Sequence, residues 1–367
     1  MRIGVPKEIK IREYRAGLVP SAAAMLVAEG HEIYVETGAG AGIGFGDDAY
    51  RGAGATIVDT AGQVFDRAEL IVKVKEPQAP EYALLREDHT LFTYLHLAAD
   101  KALTSALMAS GATCVAYETV TGADGGLPLL RPMSEVAGRM SAQVGARFLE
   151  KEAGGAGILM GGVPGVVPAS VVVLGGGVAG SNAAFVARGM GANVTIFDIS
   201  PRRLAELDQQ FLGAVRTVYS ATSDVERAVT EADVVIGAVL IPGASAPKLV
   251  SAALLPRMRP GSVLVDVAID QGGCFETSRP TTHDEPTFTI DGVIHYCVAN
   301  MPGAVPRTSA VALNNATLPY IRRIADRGVH HAMEADTHLA EGLNISGGRL
   351  RHRAVAAALD LPCAPIA

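Results

Sequence analysis

Four polar residues stand just past apolar runs, where an α/β protein does chemistry: Arg15, Lys75, His96 and Asp270. In open α/β sheets ligands bind beyond the carboxyl ends of the strands, so polar residues there are read for function first. His96 follows Leu91-Phe92-Thr93-Tyr94-Leu95. An imidazole at such a junction can exchange a proton near neutral pH, as general acid–base work requires, although a lone histidine is more often a packed, hydrogen-bonded residue. Lys75 ends the run Leu70-Ile71-Val72-Lys73-Val74-Lys75, in which alternation puts Lys73 and Lys75 on one face. Pattern alone favours two solvated edge lysines. Asp270 lies in Asp266-Val267-Ala268-Ile269-Asp270-Gln271-Gly272-Gly273, and an Asx turn before the glycines explains it as well as catalysis does. Arg15 closes the charged stretch Lys7 to Arg15; a guanidinium can grip a carboxylate bidentately, but composition does not say which arginine would.

A second kind of chemistry is written between Ser170 and Asp198. The β-branched run Val171-Val172-Val173-Leu174 meets Gly175-x-Gly177-x-x-Gly180, an Ala-rich helical pattern runs to Gly189, and a second apolar run, Val194 to Phe197, closes on Asp198. Gly175 permits the tight turn, Gly177 lets the backbone approach a pyrophosphate, and Gly180 lets helix and strand pack closely. The helix N-terminus offers N–H groups to phosphate. Asp198 stands where a carboxylate accepts from ribose hydroxyls and repels a 2′-phosphate, which favours NAD over NADP. The run Thr37-Gly38-Ala39-Gly40-Ala41-Gly42 imitates this pattern, but loop continues to Gly46 and Asp47 and Asp48 come too early. It reads as a flexible loop.

These residues need a scaffold, and strand and helix signals alternate along the chain. Ile3 to Val5, His31 to Glu36, Ala55 to Val58, Leu70 to Lys75, Leu91 to Leu95 and Thr113 to Tyr117 read as strands. Helices capped by Ser21, Thr60 and Asp100, and one at Asp48 to Gly52, lie between them. Ser134 to Lys151 reads as a long helix bridging two domains. After the fingerprint come Val215 to Tyr219, Val234 to Val239, Val263 to Val267 and Val293 to Val298, which complete six parallel strands. From about Arg307 the pattern is helical and returns to the N-terminal half. The fold class is therefore α/β with two domains: a substrate or catalytic domain of residues 1–128 plus 305–367, and a Rossmann domain of residues 129–304. The ligand cleft is expected between them.

The 367 residues suit two domains, each with its own core. A net charge of −7 with no basic cluster gives no nucleic-acid or anionic-membrane surface. Cys114, Cys274, Cys297 and Cys363 are scattered, without a CxxC pair or metal-ligand spacing, so neither disulfides nor a metal site is expected. The N-terminal residues lack an apolar signal core, and no run approaches the ~20 apolar residues of a membrane helix. A soluble, cytoplasmic protein follows.

A resemblance narrows the choices left open above. Lys7-Glu8 with Glu13-Tyr14-Arg15, Lys73-Val74-Lys75-Glu76-Pro77, Phe92-Thr93-Tyr94-Leu95-His96-Leu97, Pro132-Met133-Ser134-Glu135-Val136-Ala137-Gly138 and Asp270-Gln271-Gly272-Gly273 together resemble bacterial alanine dehydrogenases. The likeness continues through Ser278-Arg279-Pro280-Thr281-Thr282 and Val298-Ala299-Asn300-Met301-Pro302. It implies reversible NAD-dependent deamination of L-alanine to pyruvate and ammonium. It also implies that Arg15 and Lys75 hold the substrate, that His96 is the acid–base residue, and that Asp270 assists proton handling. As neighbours of NAD it points to Ser134, Val178, Ala179, Asp198, Arg203, Ser220, Val239, Leu240, Val267, Ala268, Ile269, Asp270, Arg279, Val298, Ala299, Asn300 and Met301. A homohexamer is implied as well. Two other readings are carried beside it: an oxidoreductase for a related small amino or 2-oxo acid, and an NAD(H)-binding module like the transhydrogenase subunit.

Overall fold

A computed structural model describes residues 1–239 and 246–365. The chain divides into two compact units, one of Met1–Met133 with Val305–Ala367 and the other of Ser134–Ala304.

In the first unit, β1 (Arg2–Val5), β2 (Glu32–Glu36), β3 (Thr56–Val58), β4 (Leu70–Val72), β5 (Thr90–Thr93) and β6 (Thr113–Ala116) pair in parallel in the order β3-β2-β1-β4-β5-β6. The short apolar runs form central strands because both faces are covered: Leu70 and Val72 join one core, Ile71 the other. The helix Ala61–Arg67 starts at Thr60, whose hydroxyl accepts from the Gln63 N–H, and Lys101–Ser110 starts at Asp100 and stops at left-handed Gly111. The first helix differs from expectation. It spans Pro20–Ala28, so Ser21 is inside it and Pro20 occupies the first turn, where proline's missing N–H costs nothing.

The second unit contains β7 (Ser170–Leu174), β8 (Asn193–Asp198), β9 (Arg216–Tyr219), β10 (Val234–Gly237), β11 (Val263–Asp266), β12 (Thr287–Ile290) and β13 (Val293–Tyr296), ordered β12-β13-β11-β10-β7-β8-β9. The six expected strands are there and parallel, in the Rossmann order with its reversal between β7 and β10. The sheet is larger than expected by one strand, since β12 adds antiparallel to β13. Three strands, β10, β11 and β13, are shorter at the carboxyl end than the apolar run suggested. β10 stops at Gly237 and β11 at Asp266, which frees the following residues for the loops that bear function.

The bridging helix runs Arg131–Leu149, and the chain passes from the first unit to the second within its first turn. Gly138 lets it lie against the fingerprint turn, because a Cβ there would come within 2.1 Å of the Ala179 carbonyl oxygen. After Ala304 the chain returns to the first unit as the helix Pro306–Arg327, which buries Ala310, Leu313, Ile321 and Ile324 in the core of β1, β2 and β4. Each buried Leu or Ile of this kind is worth about 1.5–3 kcal/mol. The C-terminal region is not only helical: β14 (Leu343–Ser346) adds antiparallel to β6, and β15 (Arg349–Leu350) pairs with β14.

Candidate active site

The reversal point of the first sheet lies between β1 and β4, and Glu8 and Lys73, which leave those strands, are charged and buried. Glu8 follows β1. One carboxylate oxygen accepts from the backbone N–H groups of Val74 (2.7 Å) and Lys75 (3.2 Å), and the other meets the Lys73 ammonium at 3.2 Å. Lys73 also meets Glu81 at 2.8 Å. The expectation of a solvated edge lysine is therefore wrong for Lys73, which is fully buried. β4 is a central strand, so its end is covered, and two carboxylates replace the water the ammonium loses. Burial lowers the pKa of Lys73 and the two carboxylates raise it, with a net rise. Lys75 is half-buried rather than solvated. Burial, and then the nearby charges of Arg15 and Lys10, lower its pKa.

Arg15 is almost wholly buried at 2% exposure. Glu13 grips it side-on, with Nε to Oε1 at 2.6 Å and Nη2 to Oε2 at 2.5 Å, while Nη1 touches the Met133 sulfur at 3.0 Å. Burial alone would push the Glu13 carboxyl up, but this fork holds it below its ordinary range. Glu13 thus compensates a charge that could not otherwise stand in the core and fixes its orientation. The following backbone is wedged between two supports: a Cβ on Gly17 would lie 2.2 Å from the Val72 carbonyl oxygen, and buried Asn314 accepts from the Val19 N–H at 3.0 Å.

His96 leaves β5 in a left-handed conformation, φ 50° and ψ 37°. This is uncommon for a non-glycine residue and is held by a specific partner. Glu118 accepts from the His96 N–H at 2.6 Å and from the Leu95 N–H at 3.2 Å, with its nearer oxygen 4.0 Å from Nδ1. The imidazole is half exposed and lies parallel to the Tyr94 ring, centroids 5.9 Å apart. The Lys75 ammonium stands over that same ring at 6.0 Å. Lys75 and His96 are thereby gathered at Tyr94, whose hydroxyl donates to the Leu129 carbonyl at 2.5 Å and which also feels the charge of Arg15.

In the second unit the Gly-rich turn sits at the β7/β10 reversal. Gly175 has φ +100°, and a Cβ there would strike the Ala238 carbonyl and the Val239 side chain at 2.8 Å. A Cβ on Gly180 would lie 1.8 Å from the Gly175 oxygen, whereas one on exposed Gly177 would meet no protein atom within 4 Å. Two glycines are thus demanded by the protein itself, and the third keeps a face open. The helix Val178–Gly189 begins there with no side chain capping its N-terminus, so its first N–H groups are available to an anion. Asp198 accepts from the Gly176 N–H and the Ser200 N–H, each at 2.8 Å, and Arg203 Nε donates to the Gly176 carbonyl at 2.7 Å. The Ser220 N–H donates to the Asp198 carbonyl, so Asp198, Arg203, Ser220 and Val239 all border this turn. A cradle that a Cβ would fill, an open donor row and a fixed carboxylate fit a dinucleotide.

Asp270 is exposed on a short turn, Ile269–Gln271, after β11. The loop is tied by a residue that sequence reasoning passed over. Asp266 is fully buried and accepts from Ala268 N–H (3.1 Å), Cys274 N–H (2.8 Å) and Ser278 Oγ–H (2.5 Å). Burial raises its pKa, and those donors pull the other way. Arg279 lies over the Phe288 ring at 4.3 Å. Val298 bridges to Thr281, Ala299 N–H donates to the Thr281 carbonyl, Asn300 takes a left-handed φ of 58°, and Met301 is buried. Ser134, Val178, Ala179, Val267 and Ala268 are half-buried and Ile269 is buried; Leu240 lies outside the described residues. Among the described residues no cluster of three or more His, Cys, Asp or Glu could hold a metal ion. Nor among them is any helix long and apolar enough to cross a membrane.

The domain model described as alanine dehydrogenase/PNT, N-terminal domain, matches residues 4–137, and the corresponding C-terminal domain model matches residues 141–353. The chain belongs to the alanine dehydrogenase/PNT family. Within this family the alanine dehydrogenase of Halomonas elongata is 59% identical over 361 residues, covering 98% of this chain and 97% of that one. That of Mycobacterium tuberculosis H37Rv is 55% identical over 362 residues, covering 99% and 98%. A solved L-alanine dehydrogenase superposes with a TM-score of 0.96 at 54% identity, covering 98% of this chain and 99% of its own. A transhydrogenase from Sinorhizobium meliloti gives 0.81 at 25%, covering 96% and 100%. The fold of this alanine dehydrogenase/PNT family member thus holds the two-unit α/β architecture read from its sequence. Not legible beforehand were the carboxylates that set the cationic and histidine side chains, Glu8, Glu13, Glu81 and Glu118, and the one that ties the Asp270 loop, Asp266. No spacing rule connects them to their partners, since Glu8 and Lys73 meet only because β1 and β4 are neighbours.

Proposed function

We propose that the chain is an NAD-dependent L-alanine dehydrogenase, interconverting L-alanine with pyruvate and ammonium. The observation that carries this reading is the cluster in which a half-buried ammonium and an exposed imidazole meet at the Tyr94 ring, with the buried Arg15 guanidinium near enough for its charge to act on both Tyr94 and Lys75. Two cations suit a small carboxylate bearing an α-carbonyl, and the imidazole suits proton transfer next to it. Full-length identity to curated alanine dehydrogenases supports the same choice.

Arg15, held in orientation by Glu13, takes the substrate carboxylate. Lys75 donates to the same carboxylate and to the keto oxygen, favouring the charge that develops there. His96 removes or returns the proton that moves as the carbinolamine and imine interconvert, and Asp270 orients the attacking ammonia or water. NAD supplies the acceptor for the hydride that leaves the α-carbon of alanine. The second unit would hold its pyrophosphate at Gly175, Gly177 and Gly180 with the N–H groups near Val178 and Ala179. Asp198 takes the ribose hydroxyls and Arg203 steadies that corner. Ser134, Ser220, Val239, Val267 to Asp270, Arg279 and Val298 to Met301 complete the contacts. We assign the enzyme to the cytoplasm and to a homohexamer.

The test is the change in NADH absorbance with pyruvate and ammonium, and with L-alanine and NAD in reverse. Absence of turnover in both directions would sink the assignment. The likeness to the Sinorhizobium meliloti transhydrogenase supports a second reading, an NAD(H)-binding module without amino-acid turnover. Tight NADH binding with no turnover would favour it. Reduction of glyoxylate or 2-oxobutyrate in preference to pyruvate would instead favour a different small 2-oxo acid.

A further inference from the structure

The Glu8–Lys73–Glu81 group is an expensive thing to bury. Its side chains are at most 3% exposed, and two carboxylates share one ammonium. Buried ion pairs are often no more stabilising than apolar side chains of similar volume, so cohesion of the core does not explain the arrangement. Geometry does. Only one Glu8 oxygen faces Lys73; the other is spent on the consecutive N–H groups of Val74 and Lys75. The Lys75 carbonyl is held from the opposite side by the Thr93 hydroxyl at 3.1 Å, and the Val74 carbonyl by the Tyr94 N–H at 3.3 Å. The Gln78 N–H is fixed by the other oxygen of Glu81 at 2.8 Å. The backbone that leaves β4 is thus bound at every residue that sets the direction of the Lys75 side chain.

We propose that Glu8 is a positioning residue for substrate binding, acting through the backbone of Val74 and Lys75 to aim the Lys75 ammonium beside Arg15, with Lys73 and Glu81 holding the Glu8 carboxylate in place. This rests on the assignment of Lys75 to the substrate given above. Glu8 does not touch substrate. Its effect is read at Lys75, which faces Arg15, Lys10, Glu13, Glu76 and the Tyr94 ring.

Two double variants separate positioning from stability. Glu8→Gln with Lys73→Met leaves Glu81 as the one charged member and retains an amide oxygen for the Val74 and Lys75 N–H groups. Glu8→Leu with Lys73→Met leaves the same charge and similar volume but no acceptor. The expected result is NADH affinity within twofold of wild type in both, measured by fluorescence titration. Pyruvate KM should stay within about threefold in the Gln/Met variant and rise tenfold or more in the Leu/Met variant, with its alkaline limb of kcat/KM displaced. Equal KM and equal pH profiles in the two variants overturn the proposal. So does a parallel loss of NADH affinity in the Leu/Met variant, which marks general damage. Glu8→Asp gives a third reading with the charge kept opposite Lys73: its shorter reach should raise pyruvate KM without changing NADH affinity, and an unchanged KM overturns the proposal. Wild-type turnover with pyruvate and ammonium is the control for the underlying assignment, so its failure is distinct from failure at Glu8.

Discussion

The two sheets share one strand order up to six strands and, in the proposed function, meet a negative charge in opposite ways. In the second unit the segment after β7 carries no charge and offers glycines, a helix N-terminus and an open face. In the first, the segment after β1 carries Lys7, Glu8, Lys10, Arg12, Glu13 and Arg15, and the cations that matter lie in or near the core. Backbone N–H groups suit a pyrophosphate, whose charge is spread over several oxygens and which only a close backbone can reach. A planar fork suits a carboxylate, which must be held in one orientation for reaction at the neighbouring carbon. Each solution has its own burden. The turn leaves no room for a side chain at Gly175 or Gly180, and the charged cluster sets carboxylates against its buried cations Arg15 and Lys73.

The sharpest break between the two should come at His96. His96→Ala is expected to reduce turnover by roughly 10²- to 10⁴-fold while NADH affinity stays unchanged by fluorescence titration. Wild-type-like turnover would remove His96 from the chemistry.

Arg15→Met should come next, because it removes the fork that binds buried Glu13, and breaking a buried ion pair costs about 3–5 kcal/mol, read as a fall in thermal midpoint. Adding Glu13→Gln should recover most of that stability but none of the pyruvate affinity. The pH dependence follows from Glu13. Its folded pKa is lowered below the ordinary 4.5, so the stability it contributes is fully present above that value and is lost as pH falls through the folded pKa. The stability gap between wild type and the double variant should narrow there.

The glycines of the second unit divide differently. Gly180→Ala forces a Cβ against the Gly175 carbonyl, an overpacking expected to cost about 1–3 kcal/mol and to weaken NADH binding too. Gly177→Ala meets no protein atom, so it should weaken NADH binding with the thermal midpoint unchanged. If Gly177→Ala bound NADH as wild type does, the open face would not be where the pyrophosphate lies.

The smallest effect concerns Lys75. Its pKa is lowered from 10.5 by burial first, then by Arg15 and Lys10. The charged form, and pyruvate affinity with it, should therefore fail on the alkaline side before pH 10.5 is reached. Lys10→Gln removes one repelling charge and should move that limb of the KM profile upward by a fraction of a pH unit. A shift downward would contradict the arrangement.

The contrast also explains what could be read from the sequence. The parallel strands were legible because strands buried on both faces read as continuous Val, Ile and Leu runs, and the fingerprint because its spacing is local. The edge strand β12, Thr-Phe-Thr-Ile and only half-buried, and the hairpin β14–β15 gave no such run. Thr37 to Gly46 was rightly set apart from the fingerprint, but it is pinned rather than loose: Asp47 accepts from the Gly38 N–H and the Thr37 hydroxyl, and Tyr50 leaves no room for a Cβ on Gly40. Lys73 was illegible because its environment is made by Glu8 and Glu81, from other parts of the chain. A lysine at the end of an apolar run looks the same whether water or two carboxylates await it.

The hairpin that covers β6 has a consequence for synthesis. β6, Thr-Cys-Val-Ala, is buried along its whole length, but the strand that pairs with its outer edge is not made until the entire second unit has been translated. Until then the nascent first sheet presents an unpaired apolar edge, the kind that recruits other chains. The second unit, being continuous in sequence, can fold meanwhile, and the first becomes complete only when Leu343 to Ser346 arrives to close it.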